Sequence, residues 1–472
     1  MKRPVGTYVK SFALNTASAA ALSTLFLAGL GLSTNPASAE NLTDALVAAY
    51  QSNPDLMSAR AQQRATDEQV PQALSGWLPS VTAQGSYGAA RDRYKVTSGA
   101  AAITQHTRPL TGAVTLDQNV FAGGRTVAST NAAEYTVMAG RNVLMNTEQQ
   151  TLLNVVAAYM DVIAGQSVVE LTKNNVDVLS RQLAATKDRF RVGELTRTDV
   201  AQSEARLSGS RTALTQAEAQ LTAARSAYAK VVGHAPDKLD KPASSSMIPQ
   251  SEEQAREAAL NANPVIQAAR NSEKARRSAI SVAKSALLPS VDVQAQYSYG
   301  REAASGIHVG EETSVVGVLT IPLFQGGAAY SRVREAKELH NQSMIDIAVA
   351  ERAVNESVAN AWEAVRSARA SIISSEEQVK ANEIALEGVK QEEEVGSQTT
   401  LDVLNAEQEL LNARVTLVSA QRNLAVADYG LLAATGQLTA KSLNLPVKYY
   451  DPQENYDDVH YKFIGFGTSS DE

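Results

Sequence analysis

The same helical turn is written twice into this chain, and a repeat of that length leaves few folds open. Its first copy is Val192-Gly193-Glu194-Leu195-Thr196-Arg197-Thr198-Asp199-Val200; the second, Val395-Gly396-Ser397-Gln398-Thr399-Thr400-Leu401-Asp402-Val403, follows 203 residues later. Ahead of each turn an apolar stripe recurs at heptad spacing. It runs through Val169, Val176, Leu179, Leu183 and Phe190 in one copy and Ile372, Val379, Leu386 and Val389 in the other. That period buries one side of a long helix against a partner. Gly193 and Gly396 stand where a residue free to adopt positive φ ends a helix, and Thr198 or Thr399 is placed to cap the returning one. The chain therefore builds one helical hairpin twice.

The flanking elements repeat as well. Asn53-Pro54 and Asn263-Pro264 each read as a cap followed by a first helical residue, while Leu78-Pro79 and Leu288-Pro289 each end a helical stretch; both pairs are 210 residues apart. Strands are expected at about 80–90 and 110–121, and again at about 290–300 and 313–324. The alternation is clearest where Val291, Val293, Ala295, Tyr297 and Tyr299 interleave with Asp292, Gln294, Gln296 and Ser298, giving one apolar and one polar face. Residues 91–109 and 301–312 read as loops, and the shorter second loop accounts for the fall in offset from 210 to 203. The pairs Gly123-Gly124 and Gly326-Gly327 allow the second strand of each pair to bend into the next helix. Each of those helices is expected to run for about 67 residues, or roughly 100 Å. Each return helix is only half as long.

The expected organisation is a signal peptide at 1–39, a first structural repeat at 40–250 with its tip turn at 192–198, a second repeat at 251–440 with its tip turn at 395–399, and an irregular tail at 441–472. Lys2, Arg3 and Lys10 precede an apolar run shorter than a membrane span, and Ala37-Ser38-Ala39 has the small-x-small form that a signal peptidase cuts. Loss of those three basic residues moves the formal net charge from -7 to -10, which argues against nucleic acid as a partner. There is no cysteine, so disulfides, thiol catalysis and a cysteine-linked lipid anchor are excluded. The histidines join no metal motif, the glycine pairs lack nucleotide-loop spacing, and no nucleophile elbow is present. No metal, no cofactor and no enzyme activity are expected.

Helix lengths and strand faces together imply a tube. A long helix needs an antiparallel partner along its whole apolar face, and a return helix covers only half of it. The helical stretches at 41–76 and 252–287 supply the other half if stacked end to end with the return helices. Four strands with one apolar and one polar face cannot close a barrel alone, since the smallest transmembrane barrels have about eight. Open edges are not tolerated in lipid. Several identical chains would remove every edge; periodicity by itself does not fix how many.

The ordered double set of Asn53-Pro54, Leu78-Pro79, Val120-Phe121-Ala122-Gly123-Gly124 and Gly193 with Thr198-Asp199-Val200, and of Asn263-Pro264, Leu288-Pro289, Pro322-Leu323-Phe324-Gln325-Gly326-Gly327 and Gly396 with Leu401-Asp402-Val403-Leu404, resembles the TolC family of outer-membrane channel proteins, and within it the type I secretion components. The resemblance implies a mixed α/β membrane protein. Its protomer is internally duplicated, with four amphipathic transmembrane β-strands and long periplasmic coiled-coil helices, and it closes as a homotrimer into a twelve-stranded β-barrel and an α-helical barrel. It implies contact with outer-membrane lipid, a periplasmic adaptor (membrane fusion) protein, and an inner-membrane ABC transporter or proton-driven antiporter. It also implies that the tip turns form a periplasmic entrance closed by polar links and aspartate rings. Asp402 matches a ring aspartate, and Asn405 stands where a second can occur. Thr198 and Asp199 match one side of the links. Glu393 and Gln398 stand where a tyrosine and an arginine occur in the family; a carboxylate facing Asp199 and a neutral amide in place of a guanidinium weaken or rearrange that link.

The function expected is a passive exit duct for type I secretion or efflux. The alternatives are a multidrug efflux channel and an exported coiled-coil scaffold or adhesin without a lumen.

Overall fold

The computed structural model describes residues 40–95, 97–241, 248–304 and 307–468. The expected signal peptide and the serine-rich residues 242–247 at the end of the first repeat lie outside the described residues. From Glu40 the chain forms α1 (Leu42–Ser52), α2 (Pro54–Asp67) and α3 (Gln69–Leu74). Asn53 ends α1 and caps α2, its side chain accepting from the Asp55 and Leu56 amides with Pro54 at the first helical position. The 41–76 stretch breaks a second time, at Glu68. Pro71 explains this: it has no N–H to give the Asp67 carbonyl, and its ring crowds that oxygen.

β1 (Ser80–Tyr87), β2 (Ala90–Tyr94), β3 (Ile103–Thr107) and β4 (Leu110–Ala122) lead into α4 (Arg125–Arg191, 67 residues) and the return helix α5 (Arg197–Val232, 36 residues). The second half runs α6 (Glu252–Ala262), α7 (Pro264–Ser285), β5 (Ser290–Ala304), β6 (Ile307–Thr320), α8 (Ala328–Glu394, 67 residues) and α9 (Thr400–Ala434, 35 residues).

β1, β4, β5 and β6 form one antiparallel sheet in the order β1-β4-β5-β6. Its register lines up Val81, Leu116, Ala295 and Val315 on one face, and Thr82, Thr115, Gln296 and Ser314 on the other. Val81 is 63% and Val315 71% exposed, so among the described residues nothing covers this apolar face. β1 and β6 are the sheet's two edges.

Three expected boundaries are corrected here. Residues 91–109 are not a plain loop, because β2 and β3 pair within them from Ala90↔Thr107 to Tyr94↔Ile103. The expected loop at 301–312 is strand, with β5 and β6 paired as far as Ala304↔Ile307. Backbone pairing needs only N–H and C=O groups, so a hairpin exposed on both faces carries no apolar alternation to reveal it. At its far end β6 stops at Thr320, not at 324, where Pro322 removes a ladder donor and constrains Ile321.

The helical body follows the length arithmetic. α4 packs on α7 and on α1 to α3 over its first part and on α5 over its second; α8 packs likewise on α6, α7 and α9. The half-helices meet end to end through a side chain each: Asn53 Nδ2 donates to the Val231 carbonyl at 2.8 Å, and Asn263 Nδ2 to the Ala434 carbonyl at 2.9 Å. Leu152, Val155, Val156, Tyr159 and Val162 of α4 are buried at this level against Leu46 and Ala49 of α1 and Tyr228 and Val232 of α5. By length and composition α4 is apolar enough to cross a membrane. Here that apolar stretch builds the core of the body instead.

The tail is not irregular throughout. Leu438, Ala440 and Leu445 are buried in the same core, and α10 (Pro452–His460) lies on α2, tied by Asn455 Nδ2 to Asp67 Oδ2 at 2.8 Å. Composition alone concealed this, because the tail's few apolar groups are spaced by the turns they make rather than by a helical period.

Candidate functional site

At the end of the body farthest along α4 and α8 from the sheet, two tip turns lie side by side. Gly193 and Gly396 adopt φ of 85° and 79°, which a side chain with a Cβ disfavours, and their amides close the preceding helix by bonding to Phe190 and Glu393 carbonyls. The return helix then starts with a capping box in each copy. Thr196 Oγ1 accepts from the Asp199 amide at 3.3 Å, while Asp199 Oδ2 accepts from the Thr196 amide and hydroxyl, each at 2.8 Å. In the second copy Thr399 and Asp402 do the same, with 2.9 Å from the Thr399 amide and 2.6 Å from its hydroxyl.

One expectation changes. The cap of α5 is Thr196, not Thr198, which lies exposed inside the helix; Thr399 is the cap of α9 as read. The 203-residue offset itself pairs Thr399 with Thr196. Asp199 and Asp402 are first of all capping carboxylates. The Thr399 hydroxyl and amide hold Asp402 below the usual carboxylate range. It stays partly open to solvent.

Within one chain Glu393 bonds to Arg189 and Thr400 rather than to Asp199. Its Oε1 accepts from Arg189 Nη1 at 2.5 Å and from Thr400 Oγ1 at 3.3 Å, and its side chain is only 12% exposed. Arg189 sits on α4 and also reaches Glu194 at 3.3 Å, so its guanidinium bridges the two hairpins. The hydrogen bond and charge of Glu393 raise its pKa further. A second bridge joins Arg206 of α5 to Asn405 of α9 at 2.6 Å. Gln398 is exposed and donates its amide to the Glu392 carbonyl at 3.3 Å. Beneath these polar links Leu404 of α9 packs with Leu179 and Leu207 of the first hairpin.

Sequence reading missed Arg189 and Arg206. A signal existed for the first: the last turn of α4 carries Arg189 and Arg191, while the matching turn of α8 carries Glu392, Glu393 and Glu394. Opposite charge at matching positions of two copies marks them as neighbours.

At the other end, Gly123, Gly124, Gly326 and Gly327 all have positive φ where strand turns into helix. A Cβ on Gly123 would meet the Ser285 carbonyl at 2.8 Å, so close approach of α7 as well as the turn requires glycine there. Among the described residues no group of histidine and carboxylate side chains could hold a metal ion.

Residues 45–234 and 255–437 match the family described as outer membrane efflux protein. The chain is 37% identical over 446 residues to the outer membrane efflux protein BepC of Brucella suis, covering 94% of this chain and 96% of that one. It is 28% identical to the outer membrane protein TolC of Vibrio cholerae, over 81% of this chain and 87% of that protein. Among solved structures, the CmeC outer membrane channel of Campylobacter jejuni superimposes with a TM-score of 0.76 over 90% of each chain at 17% identity, a likeness of fold.

Proposed function

We infer the function from one premise: the chain belongs to the outer membrane efflux protein family. It is an outer-membrane channel component of bacterial secretion and efflux systems, a conduit without catalysis, and it extends into the periplasm. Within that class we propose a homotrimer whose three four-stranded sheets close one twelve-stranded barrel. Its helices form a tunnel that receives cargo from a periplasmic adaptor protein and an inner-membrane transporter. The observation that carries this reading is the sheet register, which sets an unbroken apolar row on one face, a polar row on the other, and leaves two edges to be paired.

The strands are long enough for the task. β5 has 15 residues, about 50 Å of chain, and at a tilt near 45° it spans more than the roughly 25 Å apolar band of such barrels. The tip turns then form the inner entrance. Asp402 rings the axis there, Asn405 is held beside it by Arg206, and Asp199 adds negative potential nearby. Arg189–Glu393 fastens the two hairpins of each protomer; Gly193, Thr198, Gly396 and Gln398 shape the tips; the four rim glycines turn barrel into tunnel.

The name of the Brucella relative favours efflux, for which the partner is a proton-driven antiporter. Type I secretion, which the motif resemblance favours, calls for an ABC transporter. Mild crosslinking in envelopes followed by affinity capture of the transporter decides between them. Reconstitution into a planar bilayer tests the conduit itself: folded, inserted protein is expected to conduct ions in steps, and its failure to do so would overturn the reading.

A further inference from the structure

After α10 the chain carries Tyr461, Lys462, Phe463, Ile464 and Phe466, and all are exposed, Ile464 at 94% and Phe466 at 102%. The rings of His460, Tyr461 and Phe463 stack edge to face in sequence, with centroids 4.3 and 6.5 Å apart, and Lys462 Nζ donates to the Gly467 carbonyl at 2.7 Å. This is an apolar cluster that nothing among the described residues covers. Isolated apolar groups on a surface need no explanation, but a contiguous aromatic one marks a contact.

Its position identifies the contact. Gln453 accepts from Arg141 at 2.7 Å, Asn455 reaches Asp67 at 2.8 Å, and Tyr456 packs on Val70, Ala133 and Val137. Every step forward along α10 is therefore a step back along α4 toward Arg125, where α4 meets β4. From Ala133 to Arg125 is about 12 Å of helix, within reach of the residues that follow His460. Around that junction Trp77, Phe121 and Leu288 are each about half exposed, so the apolar tail points toward an end of the body that also carries exposed apolar groups.

We propose that residues 461–467 are an interfacial anchor. They lie in the periplasmic leaflet of the outer membrane, with the aromatic rings and Ile464 at the boundary between head groups and acyl chains and Lys462 toward the phosphates. Aromatic residues favour that boundary, and a lysine stem can lie along apolar surface while its ammonium reaches the phosphate layer. The anchor ties α10, and through it α2, to the bilayer and sets the depth of the barrel. This rests on the barrel placement proposed above.

The absence of cysteine makes the test direct. Full-length protein with Phe466→Cys, and separately Ile464→Cys, is labelled with an environment-sensitive fluorophore. It is then reconstituted into vesicles of phosphatidylethanolamine and phosphatidylglycerol, with and without lipid brominated close to the head group. Val315→Cys on the apolar face of β6 serves as the barrel control. The expected result is blue-shifted emission at both tail sites, with quenching by brominated lipid at least half that of the control. Tail labels that are water-exposed, or blue-shifted yet unquenched because a second copy of the chain covers them, overturn the anchor while a quenched control leaves the barrel standing. An unquenched control overturns the barrel placement and the anchor with it.

Discussion

Asp402 closes the cap of α9 with one oxygen and faces solvent beside the proposed axis, so a substitution there tests two roles that separate by choice of residue. Asn keeps an acceptor for Thr399 and removes only the charge; Ala removes both and opens the capping box. Asp402→Asn is therefore expected to lower cation preference, read as a smaller reversal potential under a salt gradient, with trimer yield unchanged. Raising ionic strength shrinks the difference by screening. The pH dependence has a definite sign. The Asp402 pKa lies below its ordinary value of 3.8, so its contribution to the cap is present above that value and lost only as pH falls through the lower, folded pKa. Cation preference should accordingly persist at pH 3.8, where an ordinary aspartate is half protonated. A preference already halved there, and unchanged in Asp402→Asn, would show that the charge comes from another group. The Arg189–Glu393 bridge is proposed to act on the gate rather than the charge. With one partner mostly buried, its loss is worth about 1 kcal/mol, or roughly fivefold in an open–closed equilibrium for each copy. Arg189→Ala and Glu393→Gln should both raise open probability in single-channel records with little change in selectivity, and an unchanged open probability in both would remove the bridge from the gate.

Among the elements, helices were more legible than strands, and the reason is burial. A helix that buries one side for 67 residues must repeat its apolar groups at three and four, as Leu152, Val155, Val156, Tyr159 and Ile163 do. The lengths of α4 and α8 and the end-to-end stacking of their partners followed from that pattern. The β2–β3 hairpin and the far part of β5–β6 bury neither face, so Arg91, Arg93 and Glu311 carry no trace of the ladder they belong to. The tip links were half legible. Thr399 and Asp402 announce a cap by spacing alone, whereas Arg189–Glu393 depends on α4 and α8 lying side by side, a lateral fact that no local period encodes. The structural assignment of Thr196 as cap gives a measurable contrast. Thr196→Ala should destabilise the start of α5 by about 1 kcal/mol, seen as faster amide exchange at residues 197–200. Thr198→Ala should change little, since alanine is the better helix former. The reverse ranking would return the cap to Thr198.

For the whole molecule the decisive question is what pairs with the outer edges of β1 and β6. A lone sheet with Val81 and Val315 exposed on one face and unpaired backbone along both edges is stable neither in water nor in lipid. If identical copies close it, β6 of one must run beside β1 of the next, because each copy offers the same two edges and a closed ring uses one of each at every junction. The geometry then permits a direct count. In the cysteine-free background, one cysteine placed along β1 at positions 81–86 and one along β6 at positions 312–318 are scanned in pairs. Only pairs in register across the junction bring Cβ atoms to roughly 4 Å, the spacing a disulfide requires. The expected outcome on a non-reducing gel is a ladder of one, two and three chains with no higher species, since closure consumes the last free edge. Native mass of the uncrosslinked protein in detergent should agree. A ladder running past three chains would mean an open or larger assembly, and one stopping at two would mean that the edges pair with their own kind. Either result would require a different barrel from the same four strands.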